Sequence, residues 1–345
     1  MIALLAGGYA RAGAGGLYPL GYDPAGGRLS AGVPDPALAN VSAGLRVPGG
    51  DRWYFVDEAA GRIAAAERAP AGWTVRASVP SGGAAPCHLA LDPDGSLLAV
   101  ANYRSGTVAL FRLDRAGGLP VEPPHVHRNI GRGLDPDRQA GPHAHWVGFH
   151  GGRLYAADLG CDRIFAFPVD AARAMLGGPA VAYAALPGTG PRQIAFHPTR
   201  PLAFLVSELA STLTVLRIDG DGRMAARQIL STLPAEAGPG SLGGAIAISR
   251  TGDRLFTTNR GHDSVAAFAV AGDGTVSPIG HCPSGGRSPR FLLLLEDEGR
   301  LLVAHETSGG VTALALDGDG RLHPTPARAD VPGAAFLSRI GVSSA

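Results

Sequence analysis

At 345 residues, 45% of them hydrophobic and with a formal net charge of +1, the chain can bury a large core and carries no charge excess that would commit it to nucleic acid or an acidic membrane surface. All 30 basic residues are arginine, which excludes a lysine Schiff base or lysine general base. Cys87, Cys161 and Cys282 are scattered, odd in number and lack CxxC spacing, which argues against a disulfide framework or structural zinc site and points to a reducing cytoplasm.

The opening "MIALLAGGYARAG" has a short apolar run with no basic residue ahead of it, too short for a signal core, and no later stretch approaches the roughly 18 apolar residues of a spanning helix. It reads as a strand, and the protein as neither exported nor membrane-bound. The glycines of "GGYARAGAGG" follow no βαβ pattern, so they do not make a dinucleotide loop. Next come copies of one unit. They begin at Ala43 ("AGLRVPGGDRWYFVDEAAGRIAAAER"), Cys87 ("CHLALDPDGSLLAVANYRSGTVALFRLD") and His145 ("HWVGFHGGRLYAADLGCDRIFAFPVD"), then at Arg192 ("RQIAFHPTRPLAFLVSELASTLTVLRID"), Ala245 ("AIAISRTGDRLFTTNRGHDSVAAFAV") and Arg290 ("RFLLLLEDEGRLLVAHETSGGVTALALD").

Each copy is an apolar run, a tight turn, a second run ending in a polar pair, another turn and a third run, which predicts three consecutive antiparallel strands. The first members of the pairs are Asp57, Asn102, Asp158, Ser207, Asn259 and His305, spaced by 45, 56, 49, 52 and 46 residues. A period near 50 fits a four-stranded blade whose fourth strand is the variable stretch between copies. The N-terminal segment reads as a blade lacking its first strand, and "GAAFLSRIGV" near the C-terminus can supply it. The expectation is an all-β, seven-bladed β-propeller closed by both termini, one domain over 1–345, because closure removes exposed sheet edges. The competing reading is a six-bladed ring with a decorated N-terminus. Gly118 to Pro142 and Leu230 to Gly243 are expected to be loops without strands, and "HVHRNIGR" (His125 to Arg132) a solvated basic loop cluster.

In an antiparallel pair the first residue of the inner strand lies beside the last of the next, so both face one channel mouth. The inner strands open with Cys87 and His88, His145, Arg192 and Gln193, Ala245, and Arg290. The second members of the polar pairs are Glu58, Tyr103, Leu159, Glu208, Arg260 and Glu306. Converging His, Arg and Glu side chains suit a small anionic molecule on which a proton is moved. In "GPHAHWVGF", His145 falls on an inner-strand opening and is the catalytic candidate, while His143, two residues upstream, is a rim or support residue; no third ligand makes the pair a zinc grip.

The strings "PCHLALDPDG", "ADLGCDRIFAF", "GPRQIAFHP", "SELASTLTV", "TNRGHDSVAAF" and "SPRF" resemble the seven-bladed propeller lactonases, the superfamily of propeller-type 6-phosphogluconolactonase and of 3-carboxy-cis,cis-muconate lactonizing enzyme. The resemblance implies a site built from a His opening an inner strand, an Arg in "GPR", a Glu ending the next strand and an Arg in "NRG", here His145, Arg192, Glu208 and Arg260. It departs at "VPGGDRW", at the shortened "HGG" turn and at "STLPAEAGPGSLGG". The activity expected is hydrolysis of a small sugar-acid lactone, 6-phosphogluconolactone-like or unphosphorylated. Either Glu208 or His145 acts as base, and Arg192 and Arg260 hold an anionic group and the carbonyl oxygen. His88, His143, Tyr103, Arg290, Glu58 and Glu306 are expected to contact substrate. Alternatives are a muconate-type cycloisomerase and a non-catalytic interaction propeller. A metal-dependent propeller using Asp57, Asn102, Asp158 and Asn259 is the third, and less favoured because such residues are common at strand ends. No cofactor and no metal are expected, nor a nucleic-acid or membrane partner, and the chain is expected to be a monomer or weak homodimer. The absence of a GxSxG elbow disfavours an α/β-hydrolase lactonase.

Overall fold

The computed structural model describes residues 1–69 and 72–340. Apart from two three-residue 3-10 turns, Ala10–Ala12 and Glu296–Glu298, its regular elements are all strands. They form seven antiparallel sheets, the blades of a seven-bladed β-propeller with four strands per blade. The innermost strands of blades 1 to 7 are Gly44–Arg46, Pro86–Leu91, Ala144–His150, Pro191–Phe196, Leu242–Ile248, Pro289–Leu295 and Ala334–Arg339. Blade 7 is closed by both chain ends: Ala334–Arg339 pairs with Ile2–Gly8, Leu5 opposite Ser338, followed by Tyr18–Asp23 and Arg28–Ala31. The last two residues of the segment expected to close it, Gly341 and Val342, lie outside the described residues.

Two compact units divide the chain. The first comprises Met1–Ala39, Gln193–Ile218 and, of the described residues, 225–340. In it Leu4, Leu20, Leu302, Val311 and Leu337 pack between blades 6 and 7, and Phe204, Val206, Ile246, Leu255 and Phe268 between blades 4 and 5. The second comprises Asn40–Arg192 with Asp219–Met224. There Tyr54, Ile63, Leu98, Val100 and Phe111 join blades 1 and 2, and Leu97, Leu110, Val147, Leu154 and Phe167 join blades 2 and 3. A strand in a middle layer faces a neighbouring blade on both sides, so it must be apolar on both. "LLAVAN" and "LAFLVS" are accordingly buried at every position, whereas the outer strand "MAARQILS" is mostly exposed.

Two expectations are corrected. Within Gly118 to Pro142, Pro120–Arg128 is the fourth strand of blade 2, and it takes in His125 to Arg128 of the supposed loop cluster. Three prolines hid it, yet an outermost strand tolerates proline because one row of its N–H groups has no partner strand. Likewise Leu230–Ser231 ends a strand and Leu242–Gly243 begins one. The fourth strand of blade 3 is split into Met175–Leu176 and Ala180–Ala184, both pairing with Arg163–Asp170.

The first members of the polar pairs stitch each blade together. Asp158 accepts from the backbone N–H of His143 (2.8 Å) and Gly160 (3.0 Å) and from Asn129 Nδ2 (2.7 Å). Asn259 exchanges hydrogen bonds with Thr232 (2.7 and 2.6 Å), Asn102 donates to the Ser81 carbonyl (3.1 Å), and Asp57 accepts from Asn40 (3.2 Å). The four candidate cation ligands are thus engaged by their own surroundings. Among the described residues no three His, Cys, Asp or Glu cluster so as to hold a metal ion.

His305 fills the same position in blade 6. It is fully buried, its Nε2 lies 3.0 Å from Thr312 Oγ1, and burial, helped by the Arg328 charge, pushes its pKa from 6.5 down to about 4. Between those two values the unfolded chain binds a proton that the folded one refuses, so this contribution to stability is whole above pH 6.5 and is lost as pH falls towards 4. Asn102 and Asn259 show that asparagine suits the position. His305→Asn is therefore expected to flatten the fall of the unfolding midpoint between pH 6.5 and 4.5 by about one proton's worth; an unchanged slope would remove His305 as its source.

Candidate active site

Three residues singled out by sequence, His145, Arg290 and Cys87, sit where the inner strands bulge. In blade 3, Ala144 opposes Asp158 but Trp146 opposes Ala157, leaving His145 as the extra residue. The same slip isolates Cys87 in blade 2, Arg290 in blade 6 and Ala335 in blade 7. A bulge re-aims its unpaired residue, and bulges recur beside functional sites. Arg192 follows Pro191 at the start of its strand as Arg290 follows Pro289. In blade 5 Gly243 opposes Asn259 and Ile246 opposes Thr257, so Gly244, not Ala245, shares the His145 position. A Cβ there would come within 2.1 Å of Thr258 Oγ1, which leaves no room for a side chain.

The bulge also separates His88 from His145, since His88 aligns with Trp146. Its Nδ1 accepts from Val147 N–H (3.5 Å), as Gln193 Oε1 accepts from Ile246 N–H (3.3 Å). Burial, reinforced by the Arg192 charge, pushes His88 down to about 4, so it is neutral and links two inner strands.

In the second unit an aromatic group surrounds His145. Tyr103 meets His145 edge to face at 5.4 Å and stacks on His143 at 4.6 Å. His143 Nδ1 donates to the Tyr103 carbonyl (2.9 Å), and Arg138 Nη2 donates to the Tyr103 hydroxyl (3.3 Å). His143 therefore braces Tyr103, and Tyr103 flanks the buried His145. His143→Ala is expected to lower kcat/KM by about tenfold while the fold persists. Full activity in that variant would show that Tyr103 stays in place without it. Glu58 accepts from the Ser42 hydroxyl.

In the first unit Glu208 Oε2 and Arg260 Nη2 form an ion pair of 2.7 Å, both side chains nearly removed from solvent, and the same nitrogen donates to the Gly243 carbonyl (2.8 Å). Glu306 takes Arg290 Nη1 on one oxygen (3.2 Å) and Arg11 Nη2 on the other (2.7 Å). Burial alone would raise the Glu306 pKa, but Arg290, Arg11 and Arg260 outweigh it and hold the carboxyl below its ordinary value. Tyr9 and Arg11 were not legible as site residues. Yet Tyr9 directly follows the second strand of blade 7, Ile2–Gly8, and so holds the position of Glu208 and Glu306. The repeat ruler, extended to the blade without a polar pair, would have found it.

The sequence profile described as "Lactonase, 7-bladed beta-propeller" matches residues 3–338. The chain belongs to this family. It is an enzyme of the lactonase class, a hydrolase of cyclic carboxylic esters. It is 31% identical over 255 residues to a protein named 6-phosphogluconolactonase from Bacillus subtilis, covering 72% of each chain. Among solved structures, this lactonase superposes on the Pseudomonas aeruginosa periplasmic gluconolactonase with a TM-score of 0.88 at 26% identity, covering 99% of each. A Lactobacillus plantarum protein matches with a TM-score of 0.89 at 26% identity, also over 99% of each. No helix among the lactonase's described residues is long and apolar enough to cross a membrane.

Proposed function

We propose that this lactonase opens the ring of a small sugar-acid lactone, with His145 moving the proton and Arg260 steadying the oxygen that gains charge. The observation that carries this is the buried Glu208–Arg260 pair at 2.7 Å. Glu208 spends its charge on orienting a guanidinium, and a preoriented donor in a dry setting is the largest contributor to acyl transfer. Water, losing a proton to His145, adds to the lactone carbonyl. The resulting oxyanion collapses, the ring C–O bond breaks, and His145 returns the proton to the departing ring oxygen. Arg192 donates to a ring substituent of the substrate. The names of the relatives support a sugar acid as the class, one phosphorylated and one not.

A cytoplasmic setting and a small-molecule partner, without nucleic acid or membrane, belong to the same reading. None of the three buried cysteines is in a disulfide, which suits a reducing compartment. The test is proton release from D-glucono-1,5-lactone and its 6-phosphate in weak buffer, against spontaneous opening. Acceleration of at least one supports the proposal. Acceleration of neither, or turnover of 3-carboxy-cis,cis-muconate in their place, overturns it.

A further inference from the structure

We infer that Arg11, carried by the glycine-rich "GGYARAGAGG" segment and tethered to Glu306, is the residue by which the lactonase distinguishes a substrate bearing a phosphoryl group from one without it. The inference rests on the proposed sugar-lactone chemistry for its ligands, and it concerns Arg11, which sequence reading did not place in the site.

Four observations converge. First, Arg11 lies over the Tyr9 ring, its Cζ 4.1 Å from the centroid, and Arg290 Cζ lies 5.3 Å from the same centroid. Two cations beside one aromatic ring repel each other, and Glu306 bridges them (2.7 and 3.2 Å). Second, exposure grades along the cluster. The side chains of Glu208 and Arg260 are 3% and 11% exposed, those of Arg290 and Glu306 17% and 19%, and that of Arg11 67%. Arg11 is the group an incoming anion meets first. Third, among the described residues these ion pairs set three guanidinium groups against two carboxylates. A dianionic phosphoryl group can therefore take Arg11 in place of Glu306, an exchange made easy because an exposed ion pair is weak. The guanidinium fork suits phosphate oxygens better than a single carboxylate oxygen.

Fourth, the backbone around Arg11 is pinned while its side chain stays mostly exposed. Tyr9 N–H donates to the Gly333 carbonyl (3.1 Å), and a Cβ on Gly8 would lie 2.6 Å from the Pro332 carbonyl oxygen. At the far side Gly16 has φ +144° and approaches Asp35 so closely that a Cβ would meet its carbonyl oxygen at 2.0 Å. The glycines thus anchor a short turn, Ala10–Ala12, from which Arg11 reaches out.

The experiment is calorimetric binding of the ring-opened acids, 6-phosphogluconate and gluconate, to the full-length wild type and to its Arg11→Met and Arg11→Lys variants. Wild type is expected to prefer 6-phosphogluconate by about tenfold or more, Arg11→Met to erase most of that ratio, and Arg11→Lys to restore part of it. Added salt should narrow the wild-type preference. An equal ratio in wild type and Arg11→Met overturns the inference. So does a parallel loss of both affinities, an initial absence of preference, or binding of neither acid. Failure of both lactones to open faster than in buffer would count instead against the proposed hydrolysis, and the binding ratio would still be read.

Discussion

His145→Gln is expected to lower kcat for lactone opening by about 10²–10⁴-fold, the range that general acid–base groups contribute, with far-UV dichroism and melting temperature close to wild type. Glutamine keeps a polar group on the bulge beside Tyr103 but cannot cycle a proton. The pH profile separates this role from a merely structural one. In wild type the acidic limb of kcat/KM reports protonation of the base, and the His145→Gln variant should lose that limb along with its rate. A variant that keeps the limb at reduced rate would reassign the proton transfer to another group, with Glu208 first in line.

The second large effect is at Arg260. Arg260→Met removes the cation from a carboxylate whose side chain is only 3% exposed. Two losses follow. Activity should fall by about 10²–10³-fold, as when a donor to a developing oxyanion is removed. Stability should fall by about 3–5 kcal/mol, because a buried carboxylate loses the cation that lies 2.7 Å from it. The paired change Glu208→Gln with Arg260→Met removes both charges, so it should recover much of the stability and none of the rate. Urea unfolding and initial rates on the same three proteins check both statements. Recovery of rate in the double variant would mean that Arg260 only neutralises Glu208.

Much of the fold was legible because it is written several times over. A pattern repeated about every 50 residues averages out local ambiguity, and the closing of blade 7 by Ala334–Arg339 and Ile2–Gly8 followed from asking which copy lacked an inner strand. The polar pairs located the ends of second strands at Asp57, Asn102, Asp158, Ser207 and His305 to the residue. Periodicity could not see the bulge. A one-residue slip shifts every later side chain, so Ala245 was aligned where Gly244 belongs, and His88 was grouped with His145 although it links strands. Nor could composition recognise Pro120–Arg128 as a strand, since proline content argues for a loop unless the strand is known to be outermost. Tyr9 and Arg11 escaped for a third reason. Their blade is assembled from the two chain ends, so no continuous copy existed to align.

The same distinction orders the site residues. Glu208 with Arg260, Arg290 with Glu306, and His143 and His145 with Tyr103 are in contact. The division of labour inside each group was not legible, because it depends on which atom of a side chain is already engaged. His143 commits Nδ1 to a carbonyl and so braces Tyr103, and Glu208 commits an oxygen to Arg260 and so orients it.

The most direct measurement is the initial rate of ring opening of D-glucono-1,5-lactone and its 6-phosphate, followed by proton release at neutral pH, for wild type and His145→Gln side by side with buffer alone. The account predicts wild-type rates well above spontaneous opening for at least one lactone and a His145→Gln rate reduced by about two orders of magnitude or more. Wild-type rates equal to buffer, or a His145→Gln variant as fast as wild type, would contradict it.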